Sequence, residues 1–120
     1  MTNESYEAGM KVRRHVLGDA WVDRSLANHN DFNADIQKLI TSHVWGDIWT
    51  RPAIDRKTRR LMTLSIMIAL RAWAEFRLHV RTGLSNGDLT KDELKEIINS
   101  LVVGQVYETD GGLYIYEGGK

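Results

Sequence analysis

The chain has 120 residues, no cysteine, and 16 basic against 16 acidic side chains. This length accommodates one domain with one core, and the balanced charge provides no overall field for nucleic acid or an anionic membrane. The lack of cysteine excludes disulfides, thiolate metal sites and redox dithiols. Residues 1–16 lack the apolar core of a signal peptide, so we expect a cytoplasmic protein. A single proline and few strand-like alternations before residue 101 favour an all-α fold.

Two short helices are predicted at the start of the chain. Residues 6–17 place apolar side chains at helical spacing, and Gly18 suits a left-handed C-cap. Asp19 is expected to cap a second helix, and Asn30 with Asp31 offers the next break and cap.

A third amphipathic helix is predicted from residue 32, because apolar residues recur at spacings of three and four as far as residue 44. The loop that follows contains Trp45, Trp49 and Arg51. The two rings are either core residues or the wall of a pocket, with the guanidinium placed to bind a carboxylate. Composition favours the core interpretation, and the pocket stays the alternative.

Residues 55–86 form the central stretch. Asp55 is well placed to cap a helix, and the apolar run 61–70 is too short to span a bilayer. It predicts a helix buried on most of its surface. Farther on, four residues share one helical face: Trp73, Phe76, Val80 and Leu84. Glu75 and His79 lie four apart on an adjacent face, either as an ordinary surface pair or as a pair that carries chemistry.

The last part of the chain changes character. Asn86-Gly87 predicts a turn, and Thr90 with Glu93 forms a capping box before a helix that reaches residue 101. Residues 102–120 are rich in glycine and alternate apolar with polar side chains. They predict a β-hairpin that turns at residues 110–112, or a frayed tail.

With these residues in view, the chain resembles the carboxymuconolactone decarboxylase family. The matching stretches are YEAGMKVRRHVLGDAWVDRSLAN (6–28), VWGDIWTRPAIDRKTRRLMTLSIMIAL (44–70), LHVRTGLSNG (78–87) and LTKDELKEII (89–98). The resemblance implies an all-α, AhpD-like helical bundle of about five or six helices, with a family domain at 1–98 and a divergent tail at 99–120. It also implies a homo-oligomer, trimer or hexamer, that needs no cofactor.

Related peroxidases in this superfamily use a pair of cysteines, a histidine and an upstream glutamate. On that motif the histidine corresponds to His79, but Ala72 and Glu75 stand at the cysteine positions and Arg60 at the glutamate position. The peroxidase activity is therefore excluded. The resemblance favours the decarboxylase branch, whose substrate is a dianionic lactone, 4-carboxymuconolactone, in protocatechuate catabolism.

That reaction asks a protein to hold a carboxylate, stabilise a dienolate oxygen and deliver a proton to carbon. We expect His79 to deliver the proton, since the pKa of histidine lies near neutrality, and Glu75 to orient or charge it. The predicted site comprises His79 and Glu75 for catalysis, and Arg51, Arg71, Trp45 and Trp49 for substrate binding. The arginine cluster at 56–60 is expected to be solvated surface or a subunit contact.

Two alternatives stay open. Residues 99–120 replace the last helix of the decarboxylases, as a frameshift or truncation would produce, so the chain is alternatively a non-catalytic oligomeric scaffold. A helix-turn-helix nucleic-acid binder is disfavoured, because no basic recognition face is concentrated on one helix.

Overall fold

The computed structural model describes residues 2–100, 105–109 and 112–116, the last two ranges through their backbone. The chain divides into two compact units, Met1–Arg59 and Arg60–Lys120. Helices account for most of the described residues, which confirms the all-α fold. The domain boundary predicted after residue 98 stays a prediction. Within the described ranges, no helix is long and apolar enough to cross a membrane.

The first unit consists of helical segments joined by short turns: α1 (Asn3–Leu17), α2 (Asp19–Ala27), α3 (Ala34–Leu39) and a π-helix (Ile40–Ile48). The Thr2 side chain accepts a hydrogen bond from the Ser5 N–H and caps α1. Gly18 ends α1 with a φ of 90° and a ψ of 143°. It has the predicted positive φ, which favours glycine, although it lies outside the left-handed helical region.

The contact between α1 and the π-helix is made largely by backbone. A Cβ atom added at Gly9 would collide with the Thr41 carbonyl oxygen, and one added at Gly46 would collide with the Ser5 carbonyl oxygen. The Ser5 hydroxyl also donates to Asp47 Oδ1 at 2.6 Å. These close approaches explain why two glycines face each other across this contact.

The prediction of one amphipathic helix from residue 32 is wrong in two respects. The helix changes from α to π geometry at Ile40. Three residues of its predicted inner face are also exposed: Phe32 at 97%, Ile36 at 49% and Leu39 at 42%. Hydrophobic spacing records which side chains share a face, but it does not record whether another element covers that face.

In the second part of the chain lie α4 (Arg56–Ala69), α5 (Trp73–Asn86) and α6 (Lys91–Ser100). The core of the second unit contains six buried side chains: Leu64, Ile68, Phe76, Val80, Leu89 and Leu94. The shared face predicted on α5 contributes to this core. However, Met62, Ile66 and Leu70 on α4 are 49%, 55% and 74% exposed. The prediction that this helix is buried on most of its surface is therefore wrong.

Local signals at the starts of α4 and α6 and at the end of α5 are confirmed. The expected caps of α2 and α3 are wrong, because Gly18 and Asn33 are the N-cap residues there and neither makes a side-chain capping bond. Asp55 Oδ1 accepts from the Thr58 N–H at 2.7 Å at the start of α4. The capping box is complete, with the Glu93 N–H donating to Thr90 Oγ1 at 3.1 Å and the Thr90 N–H donating to Glu93 Oε1 at 3.0 Å. Gly87 adopts the left-handed conformation after α5.

The predicted hairpin is present in the described backbone. Strands β1 (Gln105–Thr109) and β2 (Gly112–Tyr116) pair antiparallel, with Gln105 opposite Tyr116 and Thr109 opposite Gly112. Two residues of the predicted turn, Asp110 and Gly111, lie outside the described residues.

Candidate functional site

His79 lies on the buried face of α5. Its side chain is 4% exposed, and the neighbouring Phe76 and Val80 belong to the core of the second unit. The same helical periodicity that buries the apolar side chains of α5 therefore buries the imidazole. A histidine in such surroundings is a candidate for chemistry when a charged group lies beside it.

That charged group is Arg60, which is fully buried on α4. Its Nη1 donates to the His79 carbonyl oxygen at 2.8 Å, and its Nη2 lies 3.7 Å from Asp88 Oδ2. The lack of a side chain at Gly83 makes room for it, because a Cβ there would lie 3.2 Å from both Cδ and Nη1 of Arg60. The expectation that the 56–60 cluster is solvated surface or a subunit contact is wrong for this residue.

Burial and, to a smaller extent, the positive charge of Arg60 together lower the pKa of His79 to about 4. Desolvation disfavours the charged imidazolium, and a like charge nearby adds to the effect. The expectation that His79 titrates near neutrality is therefore wrong for the folded chain. At neutral pH the imidazole is uncharged.

Glu75 and Arg71 occupy different surroundings from His79. Both side chains are exposed. Glu75 forms no hydrogen bond or ion pair with the residues that the structure describes, His79 included. Arg71 lies in the break between α4 and α5 with a φ of 57°, the one positive φ found at a described residue other than glycine. Its N–H donates to the Ile68 carbonyl. Catalytic or binding roles for these two residues stay predictions.

The other predicted residues belong to the first unit. Trp45 is buried in the π-helix, and its ring centroid lies 4.8 Å from that of Trp49 at an angle of 45°. Arg51 is exposed, while its carbonyl oxygen accepts from Arg59 Nη2 at 3.2 Å. The structure therefore brings the two rings together, and their role as core residues or as a pocket wall stays a prediction. π-Helical segments often occur at functional sites.

Sequence reasoning missed the role of Arg60 and its partner Asp88. A signal was present, because Arg60 precedes the buried Leu64 and Ile68 by four and eight residues and so shares their face of α4. The pairing itself joins residues 28 positions apart and has no local signature.

The protein is all-α, and it contains a buried, neutral histidine whose backbone carbonyl is bound by a buried arginine. The model of the carboxymuconolactone decarboxylase family matches residues 34–105. A 4-carboxymuconolactone decarboxylase of Acinetobacter baylyi is 47% identical over 95 residues, which cover 79% of this chain and 70% of the relative. The chain belongs to the carboxymuconolactone decarboxylase family.

Two further relatives extend the comparison. The nitrosuccinic acid decarboxylase npaB of Metarhizium robertsii is 42% identical over 93 residues, covering 78% of this chain and 64% of the relative. A 4-carboxymuconolactone decarboxylase sequence of Pseudomonas putida is 59% identical over 44 residues, covering 37% of this chain and 92% of that sequence.

Proposed function

We propose that the chain is a carboxy-lyase that converts 4-carboxymuconolactone to the β-ketoadipate enol-lactone in protocatechuate catabolism. The observation that carries the proposal is the 47% identity to the Acinetobacter baylyi decarboxylase across most of the chain. The protein acts in the cytoplasm, and the resemblance implies a homo-oligomer, trimer or hexamer, that uses no cofactor. The exposed apolar side chains of α4 support association with further copies.

The substrate carries its own electron sink. When the bond to the departing carboxylate breaks, its electron pair moves through the ring double bond onto the carbonyl oxygen and carbon dioxide leaves. The resulting dienolate takes a proton on the ring carbon next to the carbonyl, which gives the enol-lactone. The protein must hold the remaining carboxylate, stabilise the dienolate oxygen and supply that proton.

In this proposal His79 supplies the proton, although the folded protein keeps the imidazole neutral before substrate binds. A dianionic substrate places negative charge beside the imidazole and raises its pKa, because opposite charge favours the imidazolium. The proton is thus taken up together with the substrate and is delivered to the dienolate. Arg60 holds the backbone of His79 in place and disfavours protonation before substrate arrives. Glu75 is assigned to favour the charged form in the complex.

The remaining residues are assigned to substrate binding. Arg51 and Arg71 have exposed guanidinium groups, and guanidinium binds carboxylate through two parallel hydrogen bonds. The Trp45 and Trp49 rings supply an apolar surface. A carboxylate that lies against this surface is poorly hydrated, so the departure of the carboxylate as neutral carbon dioxide is favoured.

A second substrate is favoured by the relative from Metarhizium robertsii, named for nitrosuccinic acid. That acid also bears two carboxylates, and its nitro group accepts electrons as the lactone carbonyl does. The same demands on the protein apply to both acids. We therefore propose nitrosuccinic acid as the alternative substrate.

The test supplies each acid to the purified chain and follows enol-lactone absorbance or carbon dioxide release. His79→Ala is compared with His15→Ala, which removes an exposed histidine of α1. Loss of about a hundredfold in rate for His79→Ala alone is expected for a proton donor. Equal rates in both variants would remove His79 from the mechanism. No turnover of either acid by a folded oligomer, seen by light scattering, would favour the non-catalytic scaffold.

A further inference from the structure

The first unit contains a buried arginine that the decarboxylation does not use. Arg13 on α1 is 2% exposed. It donates three hydrogen bonds, to Ser25 Oγ at 3.0 Å, Gln37 Oε1 at 3.2 Å and Thr41 Oγ1 at 3.3 Å. All three acceptors are neutral. The Trp21 ring lies 5.6 Å from the guanidinium carbon and adds a cation–π contact.

No carboxylate pairs with Arg13 in the described part of the chain. The two nearest acidic residues in sequence on α2, Asp19 and Asp23, bind Arg14 at 3.1 and 2.8 Å. Desolvation lowers the pKa of Arg13. Tyr6 acts in the opposite direction, and the charge of Arg14 adds a smaller lowering effect. A buried charge without a counter-ion is costly to a fold. It is stabilised when an anion binds close by.

A cavity of about 320 Å³ adjoins this arginine. Its walls include Ser25 and Gln37, two of the three acceptors of Arg13, together with Trp21, Arg24 and His29. No acidic side chain lines it. Arg24 is exposed, and its guanidinium forms no ion pair with any described residue. The positive charge at the cavity therefore comes from two residues: the buried Arg13, behind Ser25 and Gln37, and the exposed Arg24, which lines the cavity at its rim.

The acceptors of Arg13 are also donors. A hydroxyl that accepts a hydrogen bond keeps its own proton to donate, and an amide that accepts through oxygen keeps its N–H groups. The hydroxyl proton of Ser25 and the amide N–H groups of Gln37 bond to no described residue. Hydrogen bonds in a chain polarise one another. The charge of Arg13 is thus transmitted through Ser25 and Gln37 to the cavity.

One wall of the cavity is preformed. Asn30 Oδ1 accepts from the Phe32 and Asn33 N–H groups, at 2.9 and 3.0 Å. Asn33 Oδ1 accepts from the Asn30 N–H at 3.0 Å, and Asn33 Nδ2 donates to the Asn28 carbonyl at 3.3 Å. Asn28 and Asn33 both line the cavity. A wall fixed in advance costs little entropy when a ligand binds.

We propose that this cavity binds the carboxylate of a small organic acid. Arg24 contacts the carboxylate at the rim, Ser25 and Gln37 donate hydrogen bonds from the floor, and the Trp21 ring packs against the carbon skeleton. Arg13 lies behind Ser25 and Gln37, and it orients both side chains through its hydrogen bonds to them. This site shares no residue with the decarboxylation site proposed above. Its occupation is measured by binding, without turnover.

The test titrates the full chain with succinate at constant ionic strength. The indole N–H signals of the four tryptophans are followed by two-dimensional NMR, with Trp21→Phe identifying one of them. Succinamide, the neutral analogue, is titrated in parallel. We expect succinate to shift the Trp21 signal along a saturating curve, and succinamide to leave it in place.

Arg24→Gln is the decisive variant, because an exposed side chain is replaced and folding is preserved. It should weaken succinate binding about tenfold, the value of one charge-assisted hydrogen bond. Arg77→Gln, which removes an exposed arginine of α5, should leave binding unchanged. The proposal is overturned if succinate leaves the Trp21 signal in place, if succinamide shifts it equally, or if Arg24→Gln binds succinate as tightly as the unmodified chain. Failure of decarboxylation would leave these results unaffected.

Discussion

Acidification should destabilise the folded chain through His79 in particular. The imidazole has a pKa of about 4 in the folded chain against an ordinary value of 6.5. Between these values the unfolded chain binds a proton that the folded chain does not, so the free energy of unfolding falls as the pH falls. The difference in pKa corresponds to about 3 kcal/mol in total, of which about 2 kcal/mol is lost between pH 7 and pH 5.

The assay compares urea unfolding of the unmodified chain and His79→Gln, followed by circular dichroism at fixed protein concentration. Glutamine is neutral at every pH, so subtracting the two stabilities removes the contributions of other groups. We expect the unmodified chain to lose about 2 kcal/mol more than the variant between pH 7 and pH 5. His15→Gln serves as the control for removal of an exposed histidine.

Parallel pH profiles for the unmodified chain and His79→Gln would refute the reasoning. They would mean that His79 is as easily protonated in the folded chain as in the unfolded one. Burial would then not desolvate the imidazole, and His79 would not need substrate in order to be protonated.

Three further predictions concern the pKa of His79, the packing of α1 against the π-helix, and the cap of α6. Arg60→Met should raise the pKa of His79, measured from its ring signals by NMR, while Arg77→Met should leave it unchanged; a lower pKa would contradict the electrostatic assignment. Gly46→Ala should cost about 2 kcal/mol or more in urea unfolding, because the new Cβ meets a carbonyl oxygen of α1, and an unchanged stability would show that the helices separate freely. Thr90→Ala should cost about 1 kcal/mol, and restoration by Thr90→Ser would tie the loss to the cap.

Local chemistry explains which parts of the fold are predictable from sequence. The caps at Asp55 and Thr90 and the positive φ of Gly18 depend on residues within three or four positions, so the sequence contains their whole cause. The pairing of residues 105–109 with 112–116 follows from their alternation of apolar and polar side chains in the same way.

Long-range contacts explain what the sequence did not reveal. The change from α to π geometry at Ile40 accompanies a close backbone approach to α1, which periodicity does not encode. The burial of Arg60 depends on a carbonyl 19 residues away and on the space above Gly83. Neither appears in a local pattern. The low pKa of His79 follows from the same distant packing, and so was not foreseen.

The meeting of α1 with the π-helix also fixes how the two elements can slide past each other. The close approach occurs where glycine stands on both sides, at Gly9 and Gly46. Sliding α1 by one residue would bring Ala8 or Met10 to a place that has no room for a Cβ. The alignment of these helices is thus determined more by the absence of a Cβ at the two glycines than by attractive contacts. In a shifted alignment, a Cβ would clash with the opposing backbone at that point. Arg13, one turn beyond Gly9, is brought by the same alignment to the hydroxyl of Thr41.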